Sequence, residues 1–227
     1  MTGPAASSPS LPALPERARS LVLLPIFSTL FFYLSPRAVQ DNVFVQFLPQ
    51  ALSYVGLIAW GGLNGRLIRR LGLQSDGLAS GLAWGTGVGV ALGVINTVVI
   101  LRIVPWLGYD ITFLTHTPHA RLPLWLMIPW FVCLIAIFVE LNFRGFILGR
   151  LLALSVPPPL AVLLSGVLFS FDPFMVATFK HLHWIAVWDG IVWGMMWLRL
   201  ANLYAVITAH AVEVIIMYSI VRAALSS

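Results

Sequence analysis

Long apolar runs, interrupted by short polar or proline-bearing stretches, dominate this chain and set its architecture before any single residue is considered. Seven such runs fall at roughly 20–35, 42–63, 79–103, 122–152, 157–171, 175–199 and 201–222. Several reach the roughly 20 residues a helix needs to cross a hydrocarbon core. Their apolar residues do not alternate with polar ones, which argues against a membrane barrel. Lipid offers backbone groups no partner except the helix itself. The prediction is an all-α, polytopic transmembrane helical bundle of about seven membrane segments. The fourth run is too long for an upright crossing and is expected to tilt or protrude. Pro157-Pro158-Pro159 stops it and starts the fifth. The sixth is the least regular, because Phe171 to His183 mixes aromatics with Asp172, Lys180, His181 and His183. Its bilayer-spanning part is expected to begin near Trp184.

Two domains of behaviour follow. Residues 1–19, rich in Pro, Ser and Ala at their start, read as a disordered tail, and 20–227 as one transmembrane helical domain. No basic start with an apolar core lies within the tail, so the first apolar run is expected to stay as a membrane anchor. Composition agrees: of 227 residues 59% are hydrophobic and 9% charged, with mean hydropathy +0.94, which excludes an ordinary soluble domain. The net charge of +5 does not predict a nucleic-acid partner, because Lys180 is the only lysine and the arginines gather at segment ends. Arg17, Arg19, Arg66, Arg69, Arg70, Arg150 and Arg199 fall on one face if the runs cross consecutively. That bias predicts a multi-pass protein of the cell (plasma) membrane with its N-terminus cytoplasmic and its C-terminus opposite. Cys133, the single cysteine, is expected to be a small buried hydrophobe.

Against this background a few ionisable residues stand out. Glu140 ends the apolar stretch Leu124 to Val139, and Arg144 follows it four residues later on the same helix face. Charge at such a place is costly and usually kept for a function. Counting 1.5 Å per residue, Glu140 lies about 15 Å from Arg150, His210 about 16 Å from Arg199, and Asp189 about 15 Å from Arg199. Three helices thus carry ionisable groups at one depth, where they are expected to face a shared polar pocket.

Glu140-Leu-Asn-Phe-Arg144-Gly resembles the first motif of the CPBP intramembrane proteases (CAAX proteases and bacteriocin-processing, Abi-like proteins), usually Glu-Glu-x-x-x-Arg. Gly190-Ile-Val-Trp-Gly194 through Thr-Ala-His210 is similar to the family's Gly-rich sixth segment, its short turn and the helix of its third motif, His-x-x-x-Asn or Asp. Leu71-Gly-Leu-Gln-Ser75 before a Gly-rich segment is also family-like, and the resemblance spans about 66–214. Departures touch all three motifs. Val139 stands at the first glutamate, Pro173 at the histidine of the second motif (Phe-x-x-x-His), and Val214 at the terminal Asn or Asp. Phe179-Lys-His-Leu-His183 offers a displaced match to the second motif.

The resemblance implies an intramembrane endopeptidase acting on a membrane-associated peptide or protein, with Glu140 activating water, Arg144 orienting it, His210 assisting and His183 a fourth member. It implies no nucleotide or organic cofactor, and leaves a divalent metal open. Other readings stand beside it. Glu140 and Arg144 can be a structural ion pair, and His210 a hydrogen-bonded core histidine. His181 and His183 read as interface residues, and His116 and His119 as solvated loop residues. Glu213 can partner His210 or serve an interhelical hydrogen bond, as can Asp189. Trp184, Trp188, Trp193 and Trp197 read as packing residues. The whole can also be a degenerate scaffold or, with its buried acids and histidines, a transporter or metal-handling protein.

Overall fold

The computed structural model describes residues 15–117, 120 and 122–226. Its principal helices are α1 (Arg19–Leu34), α2 (Val43–Leu63), α3 (Ser75–Trp106), α4 (Leu124–Ala153), α5 (Pro158–Ser170), α6 (Pro173–Leu182), α7 (Ile185–Leu200) and α8 (Leu203–Ser226). No strand occurs among the described residues. The all-α membrane bundle read from the apolar runs is therefore what the chain forms. Among the described residues four helices (α2, α3, α4 and α8) are long and apolar enough to cross a bilayer, and the bent pair α5–α6 counts as a fifth when taken as one span. α1 and α7 hold 16 residues each, about 24 Å of helix, so they are short for a roughly 30 Å hydrocarbon core.

The expected sixth run, 175–199, is corrected: it is two helices. α6 belongs with α5, from which it bends by 55°. The cause is local. Asp172 accepts hydrogen bonds from the N–H groups of Phe174 (3.0 Å) and Met175 (3.4 Å), and Pro173 takes the first helical position. Lys180, with a positive φ of 49°, ends the α-helical part of α6, which runs on as a 3-10 turn to Leu182. α7 then begins at Ile185, just after Trp184 as expected.

α3 packs on α8 along a stripe of glycines. A Cβ on Gly89 would sit 2.6 Å from the Ala209 carbonyl and 2.8 Å from Val212 Cβ, and one on Gly93 3.0 Å from Ile216 Cβ. Gly81 and Gly85 continue the stripe, so the two helices meet backbone to backbone. Asn96, one turn on from Gly93, extends the same face. α8 is started by Asn202, whose Oδ1 accepts from the Tyr204 and Ala205 N–H groups.

Of the expected tail, 1–14 lie outside the described residues, while 15–19 are fastened to the bundle. Asn64 exchanges two hydrogen bonds with the backbone of Arg17, at 2.9 and 3.0 Å. Glu16 accepts from Trp60 Nε1 at 2.7 Å and pairs with Arg150, whose guanidinium lies 3.9 Å above the Trp60 ring. Cys133 is also corrected: it is exposed on α4 rather than buried. The bundle is apolar outside as well as inside, with Phe27, Phe44, Ile58 and Trp84 exposed, as a hydrocarbon solvent permits. His116 is exposed as expected, at the end of a short 3-10 turn, Thr112–His116. His119 lies outside the described residues.

Candidate active site

α4 brings Glu140 and Arg144 to the centre of the bundle, where both are fully buried. Arg144 Nη1 donates to Glu140 Oε1 at 3.1 Å, across one helical turn. From α8, His210 Nδ1 reaches the same oxygen at 2.7 Å. A carboxylate only accepts, so Nδ1 carries the proton and Nε2 is the ring's remaining nitrogen, free to accept. The groups expected to face each other from distant parts of the chain do so.

Aromatic rings hold this set. Trp193 stacks on His210 with centroids 4.4 Å apart and planes 18° off parallel. The Arg144 guanidinium lies 5.0 Å from the ring centroids of both Trp193 and Phe169. Its Nε and Nη2, together with Glu140 Oε2 and Trp193 Nε1, are buried without a hydrogen-bond partner among the described residues. Trp193 thus belongs to the site, beyond the packing role expected of it, and Trp188 to the network below.

A cavity of about 720 Å³ opens beside the set. One stripe of α8 (His210, Glu213, Val214, Met217, Val221 and Leu225) lines it, for about 22 Å of helix. Its polar lining includes His183, Asp189, His210 and Glu213. Val139 lines it too, whereas Glu140 and Arg144 do not. On a helix the next residue is turned by about 100°, so Glu140 stands behind the wall that Val139 faces. Access to the cavity therefore comes through His210.

His183 shares the cavity but makes its contacts elsewhere: its ring meets Phe171 edge-on at 4.9 Å, and its Nδ1 meets the Lys180 carbonyl. His181 packs against Tyr109 and Phe113. Pro173, at the place of the motif histidine, starts α6 instead.

A second polar group was only half legible. Asn96 Nδ2 donates to both oxygens of Asp189, each at 3.1 Å, and to Glu213 Oε1 at 2.9 Å. Trp188 Nε1 donates to Asn96 Oδ1 at 2.9 Å. Glu213 is thus turned to α3 and α7 in an interhelical hydrogen bond. Asn96 escaped the sequence reading. Its only signal is an amide in an apolar, Gly-rich run, three residues beyond the last glycine of the stripe. No group of three or more His, Cys, Asp or Glu suited to a metal ion occurs among the described residues.

Residues 121–216 match the family model described as Type II CAAX prenyl endopeptidase Rce1-like. The matched stretch is less than half of the chain, yet it holds Glu140, Arg144, His183, Asp189, His210 and Glu213 and stops short of Asn96 on the N-terminal side. The resemblance read from the motifs is borne out over these residues. No curated protein and no solved structure matches the chain.

Proposed function

We propose that this integral membrane protein is a CAAX-type intramembrane endopeptidase that cleaves a membrane-associated peptide or protein. The observation that carries the reading is the 2.7 Å bond from His210 Nδ1 to the buried Glu140, made at the wall of a cavity inside the bundle. A carboxylate at Nδ1 fixes the tautomer and orientation of an imidazole, so that Nε2 can take a proton from water. Arg144 balances the Glu140 charge and sets its rotamer. Water then loses a proton to His210 Nε2 as its oxygen bonds to the peptide carbonyl carbon. In this geometry Glu140 acts through His210 rather than meeting the water itself, and His183 serves as a cavity residue near the substrate. As part of the same reading, the arginine-rich end of the bundle faces the cytoplasm of a cell membrane.

The test is turnover of a fluorogenic, membrane-anchored peptide by the purified chain in lipid nanodiscs. Glu140→Gln keeps the shape but replaces the accepting oxygen with an amide, and is expected to lower kcat by about 100-fold or more. Unchanged turnover in a folded Glu140→Gln protein rejects the assignment. A second reading has its own observation. Val139 stands on the cavity wall where the motif carries its first carboxylate, so the chain can be a protease-derived scaffold. Hydrolysis gained only on Val139→Glu favours that reading.

A further inference from the structure

Two carboxylates of the cavity wall, Asp189 and Glu213, have no cation bonded to them among the described residues. Asn96 ties Asp189 of α7 to Glu213 of α8, and the orientation of its amide is unambiguous. An indole N–H only donates, so Trp188 must meet Asn96 Oδ1, and Nδ2 must face the two carboxyl groups. Both acids bond the same nitrogen, so their bonded oxygens are at most about 6 Å apart. Both are buried and both line the cavity that His210 lines.

The charged groups clustered with this pair are Glu140 and Arg144 from α4 and His210 from α8; α3 contributes the neutral Asn96, and Asp172, His183 and Arg222 line the same cavity. Arg144 is bonded to Glu140, and its Nη2 lies beside Gly190, the residue after Asp189. Among the described residues nothing cationic is bonded to Glu213. Even with His210 charged, three carboxylates would stand against two cations at hydrocarbon depth. Two like charges that close and both buried repel each other, and the acid farther from Arg144 takes the proton.

We propose that Glu213 is a protonated carboxylic acid, held beside ionised Asp189 by Asn96, and that it gives its proton to the departing amine. The donor role rests on the proteolytic reading; the protonated state does not. As the tetrahedral intermediate collapses, the C–N bond breaks and its electron pair stays on nitrogen, which takes the Glu213 proton. The proton that water left on His210 Nε2 then returns to Glu213 through the cavity, one helical turn along α8. Water and amide have become acid and amine, and both side chains are restored. Glu213 is in this scheme a catalytic residue and Asn96 a positioning residue.

The experiment is infrared spectroscopy on the full chain in nanodiscs at neutral pH, paired with kinetics. The expected result is a carbonyl stretch of a protonated carboxylic acid that vanishes in Glu213→Gln and shifts both in Asn96→Ala and in Asp189→Asn, where the neighbouring charge that favours the acid form is gone. Glu213→Gln should lower kcat by about 100-fold while KM changes little. Asn96→Ala should lower kcat with the shifted band, which a merely structural amide would not produce. No such band in the wild-type chain, or a band that survives Glu213→Gln, overturns the protonated state. Loss of the band with kcat unchanged overturns the donor role. Because the band needs no substrate, a failure of the proteolytic reading itself shows separately, as an intact band without cleavage.

Discussion

Arg144 is the residue on which the centre of the bundle converges. Its guanidinium meets Glu140, lies against the rings of both Phe169 and Trp193, and through Trp193 fixes the plane of His210. That placement requires two missing side chains. A Cβ on Gly190 would stand 3.1 Å from Arg144 Nη2 and 2.7 Å from the Cα of Gly166. The Gly166 backbone cannot swing aside as a long side chain can, so α5 and α7 would have to part. Gly190→Ala is therefore expected to destabilise the protein by about 1–3 kcal/mol through overpacking. It should also lower cleavage in the fraction that still folds, because Arg144 loses its seat. Thermal unfolding alongside turnover checks this, and a variant normal in both would show that the close approach is dispensable.

At the scale of elements, the contact of α3 with α8 carries the site. Gly81, Gly85, Gly89 and Gly93 let the helices approach until Asn96 reaches across to Glu213. Gly89→Val places a branched side chain against the Ala209 carbonyl, one residue from His210. Separation of the helices is the expected outcome, with a stability loss of at least about 1–3 kcal/mol. Urea or thermal unfolding in nanodiscs measures it, and the Glu213 infrared band should weaken in the same protein. The pairing of Glu140 with Arg144 was legible in the sequence because helical spacing and burial cost are one-dimensional facts. Its meeting with His210 followed from depth counted along two helices. Asn96 was not legible, since an asparagine gains its meaning here only from which helix the glycine stripe faces. The broken sixth run was half legible: Pro173 was in plain view, but that Asp172 caps a separate helix depends on the turn the chain takes there.

Over the whole molecule, charge is sorted to the ends and the centre. Residues 15–19, the turn after α2, the end of α4 and the α7–α8 junction meet at one end of the bundle, joined by the Arg17–Asn64 and Arg150–Glu16 contacts and by the Leu203 N–H bond to the Gly72 carbonyl. Arg17, Arg19, Arg66, Arg69 and Arg199 are exposed there. The inner pair Arg150–Glu16 is already neutralised, so this outer ring of arginines is what a membrane potential and anionic headgroups act upon. It should lie on the cytoplasmic side. The chain supplies a convenient background for testing this, because Cys133 is its single cysteine and can be replaced by Ser. In that background, Arg69→Cys should react with a membrane-impermeant thiol reagent only after cells are permeabilised, while Tyr109→Cys, in the exposed turn after α3, tests the opposite end. Labelling of Arg69→Cys on intact cells would invert the orientation. It would leave the site's internal geometry untouched, since the meeting of α3, α4, α7 and α8 does not depend on which face is inside.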